Sequence, residues 1–597
     1  MTRAFQGGSG RKQFFALGLG FWRGGTSRRA WLLSLGILVF LFATLTSQVG
    51  LNHWNRSFFD ALEKRDVGAL WAAAGWLPMV VLLYMSALTA LVVTRMTMQV
   101  RWREWLTDRL AGRWIANERY YRMLYTAPDQ GAPEYRIAED VRLAVDPLVE
   151  FVIGFIGACA TAITFAAILW QVAGSITFTA FGMPVTIPAY MAFAAIVYAL
   201  IVTSLITIVG RPLIRRIATK NEFEARFRAE MTRLRENAES IGMLRGDPAE
   251  RAAAMRGFGR VVSAWFSIIR QQGKVGIVLN TNGALFPILP VMLVAPKYLS
   301  GDLSLGAVIQ VVSAFVAVQG ALIWFVDNFA RIAEWYASVV RVDELIEALA
   351  ESDRADLAGN QGAITIERHA GDDVTLENVR IVHAGGQVVI AESSVTIRRG
   401  EKVLLTGASG TGKSSLVRAL AGLWLSGSGR IGLPRDAKIA FVPQQPYLPH
   451  GSLRAILNYP LTGDSPPDDV LRAALQRAGL GELLEKLDAE EPWDRILSGG
   501  ERQRIAVARL LAQRPDIVVL DEFTSALDEE GQRSILGLLD HELAAATVIS
   551  IGHRPGLELF HDRTITLIST PAGAQLQEKA ADIDLVAKRK ARARTER

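Results

Sequence analysis

Up to about residue 330 the chain gathers its apolar residues into long blocks separated by polar, arginine-rich stretches. After about residue 370 the apolar residues come in short runs broken by glycine, proline and charge. A bilayer core of about 30 Å takes roughly 20 apolar helical residues. Six blocks reach that length: 31–50, 71–94, 148–172, 187–209, 276–295 and 305–327. The fifth is the weakest, because Asn280, Thr281 and Asn282 interrupt it. The pattern predicts a six-helix membrane half followed by a half that packs in water.

The stretch LNHWNRSFFDALEKRD, 51–66, joins the first two blocks. Leu51, Trp54, Phe58, Ala61 and Leu62 fall on one helical face. Arg56 and Asp60, then Asp60 and Lys64, are four apart and can pair. The first span is therefore expected to run on to Arg65, about 50 Å of helix against a core of about 30 Å. Asp66 is placed as the cap of the next helix, with Gly68 easing the turn. Further on, Phe227, Met231, Leu234, Ala238 and Ile241 recur at three- and four-residue spacing, predicting a two-sided helix that continues the fourth span. Gln310 and Ser313 share a face of the sixth span. With Asn280, Asn282 and Gln319 they either line a wet cavity or form interhelical hydrogen bonds in a dimer.

Charge orients these spans. Lys and Arg exceed Asp and Glu, for a net +6. The segments between spans two and three and between spans four and five are rich in arginine, and the one between spans three and four has no Lys or Arg. Positive charge stays on the cytoplasmic side, so both termini and both long loops are expected there, in a multi-pass membrane protein. This placement explains the basic balance better than nucleic-acid binding does. The one cysteine, Cys159, excludes an intrachain disulfide and reads as a small buried apolar residue. Residues 1–30 read as a cytoplasmic arm, with an interfacial helix around 14–22 and no signal-peptide cleavage site. The closing LVAKRKARARTER reads as a disordered basic tail able to touch anionic lipid.

The chemistry starts at GASGTGKSS, 407–415. Gly407, Gly410, Gly412, Lys413 and Ser414 fit G-x-x-x-x-G-K-[ST] between a β-rich run and a helical one. Such a loop wraps phosphates with backbone N–H groups, here those of Gly407, Ala408, Ser409, Gly410, Thr411 and Gly412 leading into Lys413, Ser414 and Ser415. Lys413 is expected on the β- and γ-phosphates of ATP and Ser414 on Mg²⁺. A second apolar strand ends in Asp521 and Glu522, the first suited to Mg²⁺ and the second to polarising the attacking water.

LSGGERQR, 497–504, resembles the signature motif of ABC transporter ATPases, and the rest of that family's set follows in order. FVPQQPYL carries Gln444 at the Q-loop position, SALD resembles the D-loop through Asp528, and ISIGHR carries His553 at the switch-histidine position. The resemblance covers about 372–570. It implies that Ser498, Gly499, Gly500, Glu501 and Asp528 serve the ATP of a partner copy, that Gln444 joins Mg²⁺ binding, and that Gln444, Glu522 and His553 form the catalytic set. His383 stands where relatives place an adenine-stacking aromatic, usually Tyr. The implied fold is a six-span, type IV exporter-like helical domain at 31–345, a linker at 346–371, an α/β P-loop nucleotide-binding domain at 372–575 and a tail at 576–597. One P-loop and one signature per chain imply a half-transporter working as a homodimer. Coupling contacts are expected near 120–136 and 226–239.

Within the membrane half, LNHWNRSFFDALEKRD, WREWLTDRLAGRWIANERYY, PEYRIAEDV and APKYLSGDLSLGAVIQ resemble the SbmA/BacA-like membrane domain, and the layout is similar to subfamily D ABC transporters. GAPEYRIAED departs from the NPDQRIAED form common in that family, which puts the turn before Arg136 in doubt. The resemblance implies import of hydrophilic cargo: antimicrobial peptides, bleomycin-like glycopeptides or corrinoids. The spans hold almost no charge at mid-depth, so ATP rather than a proton relay is the expected driver. Three readings stand: peptide-like import, lipid or acyl-CoA export, and an ATP-gated regulatory membrane protein.

Overall fold

The computed structural model describes residues 11–126, 132–180, 183–358, 363–383, 386–424, 426–460 and 465–579. The basic tail from 580 lies outside them. The chain forms two compact units. One takes in the described residues of 1–116 and 129–349, the other those of 117–128 and 350–597.

The first unit is helical. Its main helices are α1 Arg11–Gly18, α2 Ser27–Glu63, α3 Val67–Ile115, α4 Val141–Ala173, α5 Tyr190–Glu236, α6 Asp247–Leu285, α7 Ile288–Leu299 and α8 Leu305–Ala358. Among the described residues, six helical segments are long and apolar enough to cross a membrane. A β-hairpin, Ile176–Ala180 with Met183–Ile187, links α4 to α5.

The stretch 51–66 completes α2 as a single 37-residue helix. Asp66 caps α3, accepting from the Ala69 N–H at 3.0 Å. The turn itself is made by Arg65 at φ 57°, whereas Gly68 lies inside α3. Arg56 reaches Asp60 at 3.8 Å. The expected Asp60–Lys64 pair is replaced, because the Asp60 carboxylate accepts the Gly306 N–H at 3.0 Å. Glu63 likewise accepts the Leu305 N–H at 2.9 Å, so two acids of α2 cap α8. Asn52 and Ala61 are the buried residues here, and Leu62 is exposed.

Gln310 is fully buried, which overturns its place in a wet cavity. Its amide faces Arg56 at 3.4 Å and His53 at 3.3 Å. Asn52 donates to the Gln310 carbonyl at 3.0 Å and to Ser313 Oγ at 2.7 Å. These are bonds within one chain, between α2 and α8, rather than across a dimer. The fifth span is the least apolar of the six, with a mean hydropathy of 1.8, yet α6 runs through Asn280 and Thr281 to Leu285 and the break falls at Phe286–Pro287. Asn282 instead accepts the Tyr198 hydroxyl at 2.8 Å. The two-sided helix through Phe227 and Met231 stops at Glu236, and a separate short helix, Ala238–Met243, follows. Cys159, read from the sequence as buried, is instead exposed on α4. The expected interfacial helix is α1 plus a 3₁₀ turn, Leu19–Trp22, with Phe14 and Phe21 buried.

The second unit holds a ten-stranded sheet. One half of it is five parallel strands in the spatial order Arg563–Thr570, Lys402–Gly407, Thr547–Ile551, Ile517–Asp521, Ile439–Val442, the last at the sheet's edge. The Val, Ile and Leu runs of Lys402–Gly407, Thr547–Ile551 and Ile517–Asp521 suit strands covered on both faces. Two cores result. One packs Leu416 and Leu420 with Ile390 and Ile431, and the other packs Ile505, Val507 and Leu510 with Leu453 and Trp493.

Candidate active site

Four of the five parallel strands send a functional loop from their carboxyl ends. Because the strands are parallel, these loops emerge along one edge of the sheet. Lys402–Gly407 runs into the 408–412 loop, Ile439–Val442 delivers Gln444, Ile517–Asp521 delivers Asp521 and Glu522, and Thr547–Ile551 delivers His553.

The loop needs its glycines. A Cβ on Gly407, at φ 154°, would stand 2.9 Å from the Leu567 carbonyl, and one on Gly412, at φ 95°, 2.5 Å from Val389. Thr411 Oγ1 donates to the Ala408 carbonyl at 2.9 Å. Lys413 opens the helix Lys413–Leu420, and its ammonium donates to the carbonyls of Gly407 and Ala408 at 2.8 and 2.9 Å. Ala408, Ser409, Gly410 and Ser414 are exposed, and Ser415 is buried.

Gln444, Glu522 and His553 meet. Gln444 Nε2 donates to Glu522 Oε2 at 3.1 Å, and His553 Nδ1 stands 3.7 Å from Glu522 Oε1. The two carboxylate oxygens therefore face different partners. Glu522 sits at φ 44°, a region costly for a residue with a side chain. Its N–H is held by the Ile551 carbonyl of the neighbouring strand at 3.0 Å. Burial, then the adjacent Glu522 charge, push Asp521 above the ordinary carboxylate range, while Arg418 and Lys413 draw it back. A cleft of about 310 Å³ opens beside Gln444, Glu522 and His553.

The signature turn is built separately. Ser498 caps the helix Gly499–Gln513 in a capping box with Glu501. The Ser498 hydroxyl and N–H donate to Glu501 Oε2 at 2.7 and 2.8 Å. These bonds hold Glu501 below the usual carboxylate range. Asp528 caps the helix Glu529–Glu542, accepting the Gly531 N–H at 2.9 Å. The P-loop helix and the signature helix belong to different cores. Among the described residues, no hydrogen bond or ion pair joins residues 407–415 to Ser498, Gly499, Gly500 or Glu501.

Two residues escaped the motif reading. Arg554 donates to the carbonyls of Thr524, Ser525 and Leu527 at 2.7, 2.9 and 2.5 Å, so it holds the SALD turn beside His553. Its only signal was its position after His553. Trp424, buried beyond the P-loop helix, donates to the Val382 carbonyl at 3.1 Å and meets His383 edge-on, centroids 5.2 Å apart. The same indole meets Tyr125 edge-on at 5.0 Å. Tyr125 belongs to 117–128, the part of the connection between α3 and α4 that joins the second unit.

Residues 23–299 match the family model for ABC transporter transmembrane region 2, and residues 390–525 match the ABC transporter model. An uncharacterized ABC transporter ATP-binding protein of Synechocystis is 32% identical over 543 residues, 89% of this chain and 79% of that protein. The inner membrane ABC transporter ATP-binding protein YddA of Escherichia coli is 30% identical, over 90% of this chain and 94% of its own. The human lysosomal cobalamin transporter ABCD4 is 28% identical over 78% of this chain and 80% of its own. The solved structure of a bacterial Atm1-family ABC exporter with ATP bound superposes with a TM-score of 0.70 at 17% identity, covering 94% of this chain and 99% of that one.

Proposed function

The chain belongs to the ABC transporter family, a half-transporter with its membrane region fused to an ATPase domain that couples ATP hydrolysis to transport, and on that premise we propose a homodimer that imports peptide-like or other hydrophilic compounds. The carrying observation is the split of the machinery. One chain brings Gln444, Glu522 and His553 together but holds its P-loop and its signature turn in separate cores. Two copies meeting head to tail place each P-loop against the partner's Ser498, Gly499 and Gly500, with two sites by symmetry.

The residues fit a magnesium nucleotide. Exposed loop residues, a helix start and a lysine suit phosphates. Ser414, Gln444 and the Asp521 carboxylate would hold Mg²⁺, which supplies neutralisation of phosphate charge when bound. Lys413 binds the β- and γ-phosphates. Glu522 orients the attacking water, and His553 senses the γ-phosphate. His383 takes the adenine, with less stacking area than Tyr. Segments 120–136 and 226–239 carry the closure to the spans. Both termini lie in the bacterial cytoplasm.

For the cargo, support comes from the SbmA/BacA-like segments and from the human relative, a lysosomal cobalamin transporter. Mixing a K413A chain with a chain carrying Ser498→Arg tests the dimer. Each variant alone is inactive, and the mixture recovers hydrolysis from its one intact site. No recovery overturns the shared site. Deleting the gene tests the cargo: the strain becomes resistant to peptides that act only after entry. Unchanged sensitivity overturns import and favours lipid or acyl-CoA export.

A further inference from the structure

A cavity of about 380 Å³ lies in the membrane unit, walled by α1 and the 3₁₀ turn on one side and by α2, α3 and α4 on the others. Phe14, Leu19, Ile37, Met98 and Val152 are among its walls. The polar groups of Trp22 and Ser34 are already used: the indole N–H donates to Ser34 Oγ at 3.2 Å, and that hydroxyl donates to the Ala30 carbonyl at 2.9 Å. One polar group in the wall stays unsatisfied. Trp102 is 6% exposed, and its buried Nε1–H has no acceptor. That nitrogen would lie 4.0 Å from a Cβ on Gly18, another lining residue. An unpaired buried donor is destabilising, so an acceptor that reached it would be stabilised there.

Three arginines lie close in the chain to the lining residues of α2 and the 3₁₀ turn. Arg23 follows Trp22 directly, and Arg28 and Arg29 precede the apolar run of α2 by two or three residues. Arg29 lies five residues before Ser34, roughly 7.5 Å along the helix. All three are exposed and carry no ion pair among the described residues. The lining residues closest to them in the chain thus belong to the apolar run of α2 and to the turn just before its basic start.

We infer that this cavity binds one anionic diacyl phospholipid from the leaflet bordering the arginines. One acyl chain lies against Phe14, Ile37 and Val152, an ester carbonyl accepts the Trp102 Nε1–H, and the phosphate meets Arg23, Arg28 and Arg29. The lipid is a fixed ligand that clamps the N-terminal helix to the spans. This site is separate from cargo and from nucleotide, and it stands whichever way transport runs.

Full-length protein purified in detergent without added lipid, then exchanged repeatedly into lipid-free detergent, is examined by native mass spectrometry. The expected result is about one anionic phospholipid retained per chain, a specific site rather than a surface coat. Leu38→Trp and Ile153→Trp, which fill the cavity, are expected to reduce retention at least tenfold. The triple change of Arg23, Arg28 and Arg29 to Gln is expected to keep lipid but lose the preference for anionic over zwitterionic headgroups. Wild-type protein that carries only detergent overturns the proposal without any variant. So does retention that the filling substitutions leave unchanged, which would mean general solvation of the helices.

Discussion

The N–H of Gly306 donates to the carboxylate of Asp60 at 3.0 Å, and the Gly306 Cα sits so close to α2 that a Cβ would stand 2.1 Å from the Arg56 carbonyl. The end of the first long helix is thereby pinned to the start of the last. Only a residue without a side chain permits that approach.

Gly306→Ala is expected to destabilise the membrane unit by about 1–3 kcal/mol, as overpacking does. Gly283→Ala, where a Cβ meets nothing within 4 Å, is expected to leave thermal unfolding in detergent unchanged.

Glu522→Gln removes the carboxylate that Gln444 and His553 face. ATP hydrolysis is expected to fall by about 10²–10⁴, the usual range for loss of a general base, while nucleotide binding persists. Phosphate release and filter binding of labelled ATP separate the two. Transport that continued at full rate without hydrolysis would favour the gated-protein reading.

Arg554→Ala frees three carbonyls of the 524–527 turn at once. Hydrolysis is expected to drop at least about tenfold, since bonds to a charged donor contribute roughly 1.5–3 kcal/mol each. Lys at this position cannot reproduce the planar fork and is expected to restore little.

Tyr125→Ala removes an exposed ring that meets Trp424. Basal hydrolysis in detergent is expected to persist, and stimulation by cargo to be lost. His383 also meets that indole edge-on, and His383→Ala is expected to raise the KM for ATP with kcat little changed. Steady-state kinetics with and without cargo read both.

Glu501 gives a pH test. Its folded-state pKa is lowered, first by the Ser498 hydroxyl and then by the Ser498 N–H. A lowered carboxylate contributes stability that is fully present above its unfolded value, about 4.3 for Glu, and lost as pH falls through the folded value. Wild-type protein is therefore expected to lose more stability below about pH 4.3 than Glu501→Gln, whose amide can still take part in the capping box but does not titrate. Thermal unfolding of the two proteins across that window measures the difference.

Much of this was local and therefore legible along the chain. The six-span, P-loop architecture followed from block lengths and from glycines placed between a strand and a helix. The length of α2 and the Asp66 cap followed from spacing alone, because both depend on residues within a few positions of each other. The turn at 65–66 was misplaced onto Gly68, since a non-glycine residue at positive φ leaves no mark in sequence.

Contacts between distant segments were not legible. Spacing offered Asp60 two partners on its own helix, and tertiary packing replaced one of them with the Gly306 N–H, 246 residues away. Gln310 and Ser313 shared a face in sequence, but only packing decided that Asn52 would bury that face rather than water wet it. The same holds for Trp424 and Arg554. Arg554 joins loops that two parallel strands deliver to one sheet edge, Trp424 joins the end of the 374–382 strand to Tyr125, and no local pattern records which side chain fills either space. The sequence by itself determined the elements and the motif chemistry, because helix period, apolar length and turn residues act within one segment. Tertiary structure alone decided which polar groups pair, because a buried donor takes the acceptor that packing brings within reach.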